Sequence, residues 1–488
     1  MLANYVPSGD DYIRFLPEMI MTAGGTLIML VEPLIGENKR TAFSTISLTA
    51  FVAALVASIE ANTMPGTSFS NMLIVDGFAT FFRVLVIAVG ILTILSSAQY
   101  LRREHAASAE YYALLLFSVT GQCVMAAANE LIMIFIGLEI SSIATYVLAG
   151  YLRDDKRNNE AALKYFLLGS FATAFLLYGI AWIYGTAGST NLGEIRTYLM
   201  TPGSERGVVL ASTAAALMFV GFAFKVSAAP FQIWAPDVYQ GAPAPVTLFM
   251  SAGPKAAAFA VFLRVFMTAF QPITGRWEPF VWASALLTMI IGNFAALMQS
   301  NIKRMLAYSS IAHAGYVMVA IAAHNQIGIA AAMFYLAAYA LMNIGAFAVV
   351  THFSRQGEKY VNIDDLAGLG WKQPTTAALF SIFLMSLIGV PLTAGFFGKF
   401  YIFKAALDAN LVWLAVLGLL NSAVAAYYYL RILVVMYMKE PGEATLTVQP
   451  LGAGIGTTLW ASALGTLLLG IFPSLVLNFA RDSSALVK

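Results

Sequence analysis

The chain has 488 residues, of which 60% are apolar and only 11% charged, with a net charge of +2 and a mean hydropathy of +0.77. Such usage is far from that of water-soluble domains, and it lacks the basic field that nucleic-acid binding requires. The lone cysteine, Cys123, excludes an internal disulfide and a multi-thiolate iron–sulfur centre, so any redox chemistry resides in other chains.

Asp10, Asp11 and Glu18 surround a single Arg14 where a secretory signal would be basic, so the first apolar segment reads as a retained helix. Windows able to cross about 30 Å of hydrocarbon at about 1.5 Å per residue fall at 15–35, 42–61, 76–100, 109–129, 130–151, 160–185 and 207–240. They continue at 244–270, 278–299, 301–323, 326–354, 374–408, 410–438 and 457–479, about fourteen in all. The expected architecture is an all-α polytopic transmembrane bundle, a single domain over residues 1–488. Its parts are three N-terminal helices (15–100), two five-helix repeats (109–270 and 278–438) and a closing helix (457–479).

The windows 207–240 and 374–408, the seventh and twelfth, would each reach about 50 Å as straight helices. Both are expected to be broken, the first at Ser227-Ala228-Ala229-Pro230 and the second at Gly389-Val390-Pro391 before Gly395, because proline removes a backbone donor. In a membrane such breaks survive where protein or a wet cavity satisfies the freed groups. Ser141-Ser142-Ile143-Ala144 recurs as Ser309-Ser310-Ile311-Ala312, and Ala161–Phe166 lies against Ala331–Leu336 at nearly the same offset. Five spans per repeat, an odd number, would invert one copy relative to the other.

Loops after odd-numbered spans hold Lys39, Arg40, Arg102, Arg103, Arg153, Lys156, Arg157, Lys303, Arg304, Arg355, Lys359, Lys372 and Lys439. The opposite side has few cations, so the positive-inside rule places these loops in the cytoplasm and both termini outside.

The informative charges are those inside spans: Glu139, Lys164, Lys225, Lys255 and Lys399. Each costs about 2.5–3.5 kcal/mol at a helix centre on insertion scales, so a structural protein would shed them unless they were paired. One acid faces four lysines, and an unpaired lysine in a low dielectric exchanges its proton more readily than in water, whereas arginine does not. The bland alternatives are charge pairs that join helices, or a Lys164 that snorkels to the headgroups. Lys225 and Lys399 lie beside the two expected breaks. His313 is suited to a relay or to a satisfied core position, while His105, His324 and His352 read as bland. Lys303 and Arg304 are explained by orientation, Arg83, Arg264, Lys404 and Arg431 by snorkelling, and Asp237 by capping. Neither a nucleotide-binding glycine loop nor a cysteine or histidine cluster with metal spacing occurs in the sequence.

The run from Gly221 to Pro243, GFAFKVSAAPFQIWAPDVYQGAP, resembles the signature of the antiporter-like subunits of respiratory complex I. The stretch Gly389–Tyr401, GVPLTAGFFGKFY, resembles the N-type member in particular, with lysine at position 399. This resemblance, specific over about 110–440, implies fourteen helices with inverted repeats and a role in coupling quinone reduction by NADH to proton export across the bacterial inner membrane. It implies partner membrane subunits and a peripheral redox arm holding FMN, iron–sulfur clusters and quinone, with no cofactor in this chain. By motif, Glu139 resembles the acid that pairs with Lys225, Lys255 the central relay lysine, Lys399 the exit-side lysine, and Lys164 and His313 further relay members. A proton from the cytoplasm would then reach Lys225, pass to Lys255 and leave from Lys399. A subunit of a multi-component Na⁺/H⁺ antiporter is the nearest alternative; a solute carrier with a pocket at the breaks and a scaffolding subunit are more distant ones.

Overall fold

The computed structural model describes residues 6–34, 41–202 and 205–486. Lys39, Arg40 and Lys488, which entered the charge count of the loops and termini, lie outside the described residues. In chain order the α-helices are α1 (Gly9–Arg14), α2 (Leu16–Val31), α3 (Thr41–Ala61), α4 (Gly77–Arg103), α5 (Ala109–Ala127), α6 (Leu131–Ala149) and α7 (Lys156–Ala187). They continue as α8 (Leu192–Met200), α9 (Glu205–Val226), α10 (Trp234–Gly241), α11 (Ala244–Arg264), α12 (Thr274–Leu297), α13 (Ile302–Ala322) and α14 (Gln326–Phe353). The last are α15 (Leu369–Lys372), α16 (Pro374–Ile388), α17 (Ala394–Asp408), α18 (Val412–Met438), α19 (Glu443–Leu446), α20 (Ala453–Ile471) and α21 (Ser474–Asp482).

Among the described residues, helices occupy all the expected windows, and eleven of them are long and apolar enough by themselves to cross a membrane. The windows at 15–35 and 109–129 fold as α2 and α5, and 374–408 folds as α16 and α17, none of which reaches that standard. The window 457–479 is two helices, because Pro473 has no N–H to continue α20 beyond Phe472. Both expected breaks are present, at 227–233 between α9 and α10 and at 389–393 between α16 and α17. Several elements went unforeseen: the short helices α1, α8, α15 and α19, and a hairpin of β1 (Gly66–Ser68) on β2 (Leu73–Val75), turned through Phe69, Ser70 and Asn71, all at positive φ.

Helix starts follow side-chain caps. Asp76 accepts from Ala79 N at 2.7 Å, Asn301 from Arg304 N at 3.0 Å and Asn325 from Gly328 N at 2.7 Å. The deepest elements are α11, α13 and α14, buried along nearly their whole length, whereas α3, α7 and α18 keep one face outward.

The internal repeat is visible in the backbone, at a register the tetrapeptide match misses. In the first copy Leu131 N donates to Thr190 O and Leu192 N to Asn129 O; in the second Ile302 N donates to Val361 O and Ile363 N to Ser300 O. A Cβ on Gly121 would meet Gly137 O at 2.5 Å and Ser141 N at 2.6 Å. A Cβ on Gly292, its counterpart in the second copy, would meet Tyr308 O at 2.9 Å and Ala312 N at 2.5 Å. The backbone therefore sets Ser141 against Ala312, whereas the tetrapeptide match sets it against Ser309, one helical turn away. In this register the order α5 to α11 recurs as α12 to α18.

These glycines let two helices touch backbone to backbone, as small residues do in membrane bundles. Gly292→Val should destabilise the α12–α13 pair by about 1–3 kcal/mol or more, read as a lowered thermal midpoint in detergent. Gly185→Ala, where a Cβ meets nothing within 4 Å, should leave it unchanged.

Candidate functional site

Lys399 sits where a helix has been interrupted. α16 ends at Ile388, Gly389 turns at φ +96, and Pro391 follows, so the last carbonyls of α16 have no intrahelical donor. The Lys399 ammonium takes their place, donating to Leu387 O at 2.9 Å, Ile388 O at 2.8 Å and Ser422 Oγ at 2.8 Å. It also lies 4.9 Å above the Tyr316 ring. A cation at a helix C-terminus is favoured by the helix dipole, so the break holds the lysine and the lysine satisfies the break.

Lys255 is only 3% exposed and donates to Ser310 O at 3.0 Å and to Ser310 Oγ. The residue before it, Pro254, lies inside α11 and leaves Met250 O without its usual partner; the Tyr239 hydroxyl donates there at 3.4 Å. His313, three residues beyond Ser310, is buried with Nδ1 2.6 Å from the Tyr335 hydroxyl and Nε2 3.2 Å from that of Tyr429. Its ring can accept at one nitrogen and donate at the other. Tyr316, under Lys399, is three residues further on. Ser310, His313 and Tyr316 thus climb one stripe of α13 in steps of about 4.5 Å, and the lysines attach at its two ends.

Lys225, half-buried at the end of α9, donates to Ser142 Oγ at 2.7 Å and Tyr146 OH at 3.1 Å. Its Nζ faces the rings of Tyr146, Tyr165 and Phe224 at 5.1, 5.7 and 5.7 Å. The freed backbone beyond it is met by side chains: Thr288 Oγ1 accepts from Ala229 N at 2.7 Å, and Ser284 Oγ donates to Ala229 O at 2.5 Å. Glu139 lies one turn from Ser142 on α6, but among the described residues no ion pair joins it to Lys225, and its Oε1 is buried without a hydrogen bond. The pair implied by motif is therefore not made as a direct contact: Lys225 keeps the hydroxyls of Ser142 and Tyr146 instead.

The structure corrects several other readings. Lys164 is not deeply buried: its side chain is 41% exposed and binds Glu160 and Asp237, each at 2.7 Å. Asp237 is no simple cap, since it also binds Arg304 at 2.7 Å. Arg83 and Arg264 do not snorkel. Arg83 is fully buried against Glu18 at 2.7 Å, and Arg264 binds Asp76 at 2.9 Å. Lys303, assigned only to orientation, is fully buried against Glu358 at 2.6 Å, and His352 is buried beside Gln373 at 3.2 Å. Sequence reasoning missed Tyr335, Tyr429, Ser310 and Ser422 as partners of the site; Ser310 and Tyr335 lie in the repeated segments, but only the fold brings them to Lys255 and His313.

The profile of the family described as NADH:quinone oxidoreductase/Mrp antiporter, TM, covers residues 128–425. NADH-quinone oxidoreductase subunit N 1 of Solibacter usitatus is 66% identical over 479 residues, covering 98% of each chain. The chain belongs to the subunit N family of NADH-quinone oxidoreductase. A chain of respiratory complex I from Thermus thermophilus shares its fold with a TM-score of 0.82 at 34% identity, over 95% of this chain and 99% of that one. The Mrp complex from Dietzia sp. contributes a chain with a TM-score of 0.85 over 97% of this chain and 98% of its own, but at 19% identity that likeness extends to the fold alone. The N-subunit reading is thereby favoured over the antiporter alternative. Among the described residues no cluster of His, Cys, Asp and Glu able to hold a metal occurs.

The buried Glu18–Arg83 pair gives a direct stability test for this N subunit. Glu18→Ala strands a guanidinium in the bundle and should cost about 3–5 kcal/mol, whereas Glu18→Leu with Arg83→Met, which removes both charges, should be much milder. Heat-induced loss of the subunit from the purified complex would report the difference.

Proposed function

We propose that this chain is a proton-translocating membrane subunit that contains no redox centre and couples electron transfer from NADH to quinone in partner subunits to proton export. Its partners are other membrane subunits and a peripheral arm holding FMN, iron–sulfur clusters and quinone. The basic-loop end, with Lys303, Arg355 and Lys359, faces the cytoplasm and both termini face outside. The single observation that supports this reading is the stripe of α13 on which Ser310, beside Lys255, His313, and Tyr316, beneath Lys399, follow one another.

The chemistry follows from the partners of each lysine. Lys255 and Lys399 meet hydroxyls and carbonyls and no carboxylate within ion-pair distance among the described residues. A neutral lysine can keep those hydroxyl contacts by accepting where the ammonium donated, so neither protonation state is locked in. His313, with a tyrosine at each nitrogen, carries a proton between the ends of the stripe by changing tautomer. Glu139, one helical turn from Ser142 on α6, acts on Lys225 through space by its charge, which sets when Lys225 releases a proton toward Lys255. Lys399, at the break, hands the proton outward. The half-exposed Lys164, tied to two carboxylates, belongs to the surface ion network and outside this line.

Lys225→Ala and Lys399→Ala should each lower NADH-driven proton pumping in membranes that retain an assembled complex, while His313→Ala should slow transfer between the two ends. Wild-type pumping in both lysine variants would overturn the relay. Co-purification with flavin and iron–sulfur subunits separates this reading from an antiporter subunit.

A further inference from the structure

Lys303 and Glu358 play no part in the relay just described, yet they form a deeply buried ion pair. Lys303 is fully buried at the first turn of α13, its Nζ 2.6 Å from Glu358 Oε2 and 2.5 Å from Ala242 O. Glu358 closes a short 3₁₀ turn (Gln356–Glu358) between α14 and α15 and reaches inward. Arg355, Gly357 and Glu358 all have positive φ, of 60, 65 and 50°. Non-glycine residues adopt that region rarely, and a surrounding structure must hold them there. What holds Glu358 is its carboxylate, whose Oε1 accepts from Tyr100 OH at 2.9 Å and from Ala244 N, at the first residue of α11, at 2.7 Å.

From that point a buried polar stripe leads inward. Thr247, Ser251 and Lys255 recur every fourth residue of α11, hence on one face, and their relative exposures are 0, 0 and 3%. Lys303 Nζ and Thr247 Oγ1 are neighbours at the start of the stripe, since Ala242 O accepts from both, from the hydroxyl at 3.5 Å. Outward, Glu358 lines an open cavity of about 210 Å³ with Glu160, Asp237, Gln240, Asn301 and Arg304. From Lys225, by contrast, contacts toward α11 run through ring faces: Tyr165 stacks on Trp234 at 4.5 Å, and Trp234 meets Tyr239 edge-on at 6.0 Å.

We infer that Glu358 and Lys303 form a second proton inlet, opening on the basic-loop end and feeding Lys255 along Thr247 and Ser251 without passing Lys225. This rests on the relay reading above. Glu358 takes a proton from water in the cavity, Lys303 passes it inward, and the hydroxyls of Thr247 and Ser251 relay it by each accepting one proton and releasing another, so no net charge accumulates on them. No oxidant or co-reactant takes part.

The test is protons exported per NADH oxidised, in membranes holding the whole complex, for Glu358→Gln, Glu358→Asp, Thr247→Val with Ser251→Ala, and Lys399→Ala. Glu358→Gln and the α11 double variant should each lower export toward, but not to, the Lys399→Ala level, because the path through Lys225 stays open. Glu358→Asp should recover part of the loss with a displaced pH profile, which a packing role would not move. Wild-type export in Glu358→Gln alongside loss in Lys399→Ala overturns the inlet and keeps the relay; wild-type export in both overturns the relay itself. Should Glu358→Gln fail to assemble, Gln240→Cys serves, since Gln240 is exposed in the cavity and the chain's own Cys123 is buried. Modifying that variant with a bulky, membrane-impermeant thiol reagent after assembly should lower export relative to treated wild type, and unchanged export overturns the inlet.

Discussion

An ammonium group inside a hydrocarbon slab must be surrounded by oxygens already in place, and the architecture of this bundle answers to that requirement. α16 stops at Ile388 and α17 starts at Ala394, and the two carbonyls released at the junction are the ones Lys399 occupies. A continuous helix would have spent those carbonyls on its own N–H groups and left the lysine without ligands. Pro254 works in a related way one residue from Lys255, loosening α11 where the buried lysine emerges and leaving Met250 O to Tyr239. Backbone defects and titratable side chains occur together because each makes the other tolerable.

The buried charges divide by the kind of partner they keep. Arg83 with Glu18, Arg264 with Asp76 and Lys303 with Glu358 each face a carboxylate, while Lys225, Lys255 and Lys399 face hydroxyls, carbonyls and ring faces. A carboxylate partner stabilises one charge state strongly and favours a fixed bridge between helices. Neutral partners leave both states of a lysine accessible. Lys303 is the intermediate case, a paired lysine at the mouth of a polar stripe, with its carboxylate on a turn held in unfavourable dihedrals.

The breaks were legible because proline and glycine announce themselves locally, and the lysines because a charge in an apolar window has no other camouflage. Arg83 reads as snorkelling because its acid is remote in sequence, on α2, and a long stem near a helix end looks alike in either role until the packing is known. Lys164 failed for the converse reason. It falls inside its apolar window and so looks buried, but α7 begins at Lys156, before that window, and Glu160 and Asp237 meet the ammonium at a half-exposed face. The hydroxyls of Tyr335 and Tyr429 carried no signal of that role, because tyrosines are ordinary in spans and only α13 between α14 and α18 turns these two toward His313.

The repeat explains why the two halves look alike and yet act differently. In the register set by the backbone, Ser142 of the first copy stands where His313 stands in the second, and Gly121 where Gly292 stands. The glycines do the same work in both copies, bringing two helices into backbone contact. The other position has diverged: Ser142 offers a hydroxyl that holds Lys225, whereas His313 offers a ring with two nitrogens, each against a tyrosine hydroxyl. Lys225 precedes its break and Lys399 follows its own, so the two lysines enter the bundle from opposite sides of the discontinuity. In the proposed relay, a duplicated scaffold with one hydroxyl copy and one imidazole copy would give the line a direction, the first half holding the lysine near Glu139 and the second the imidazole.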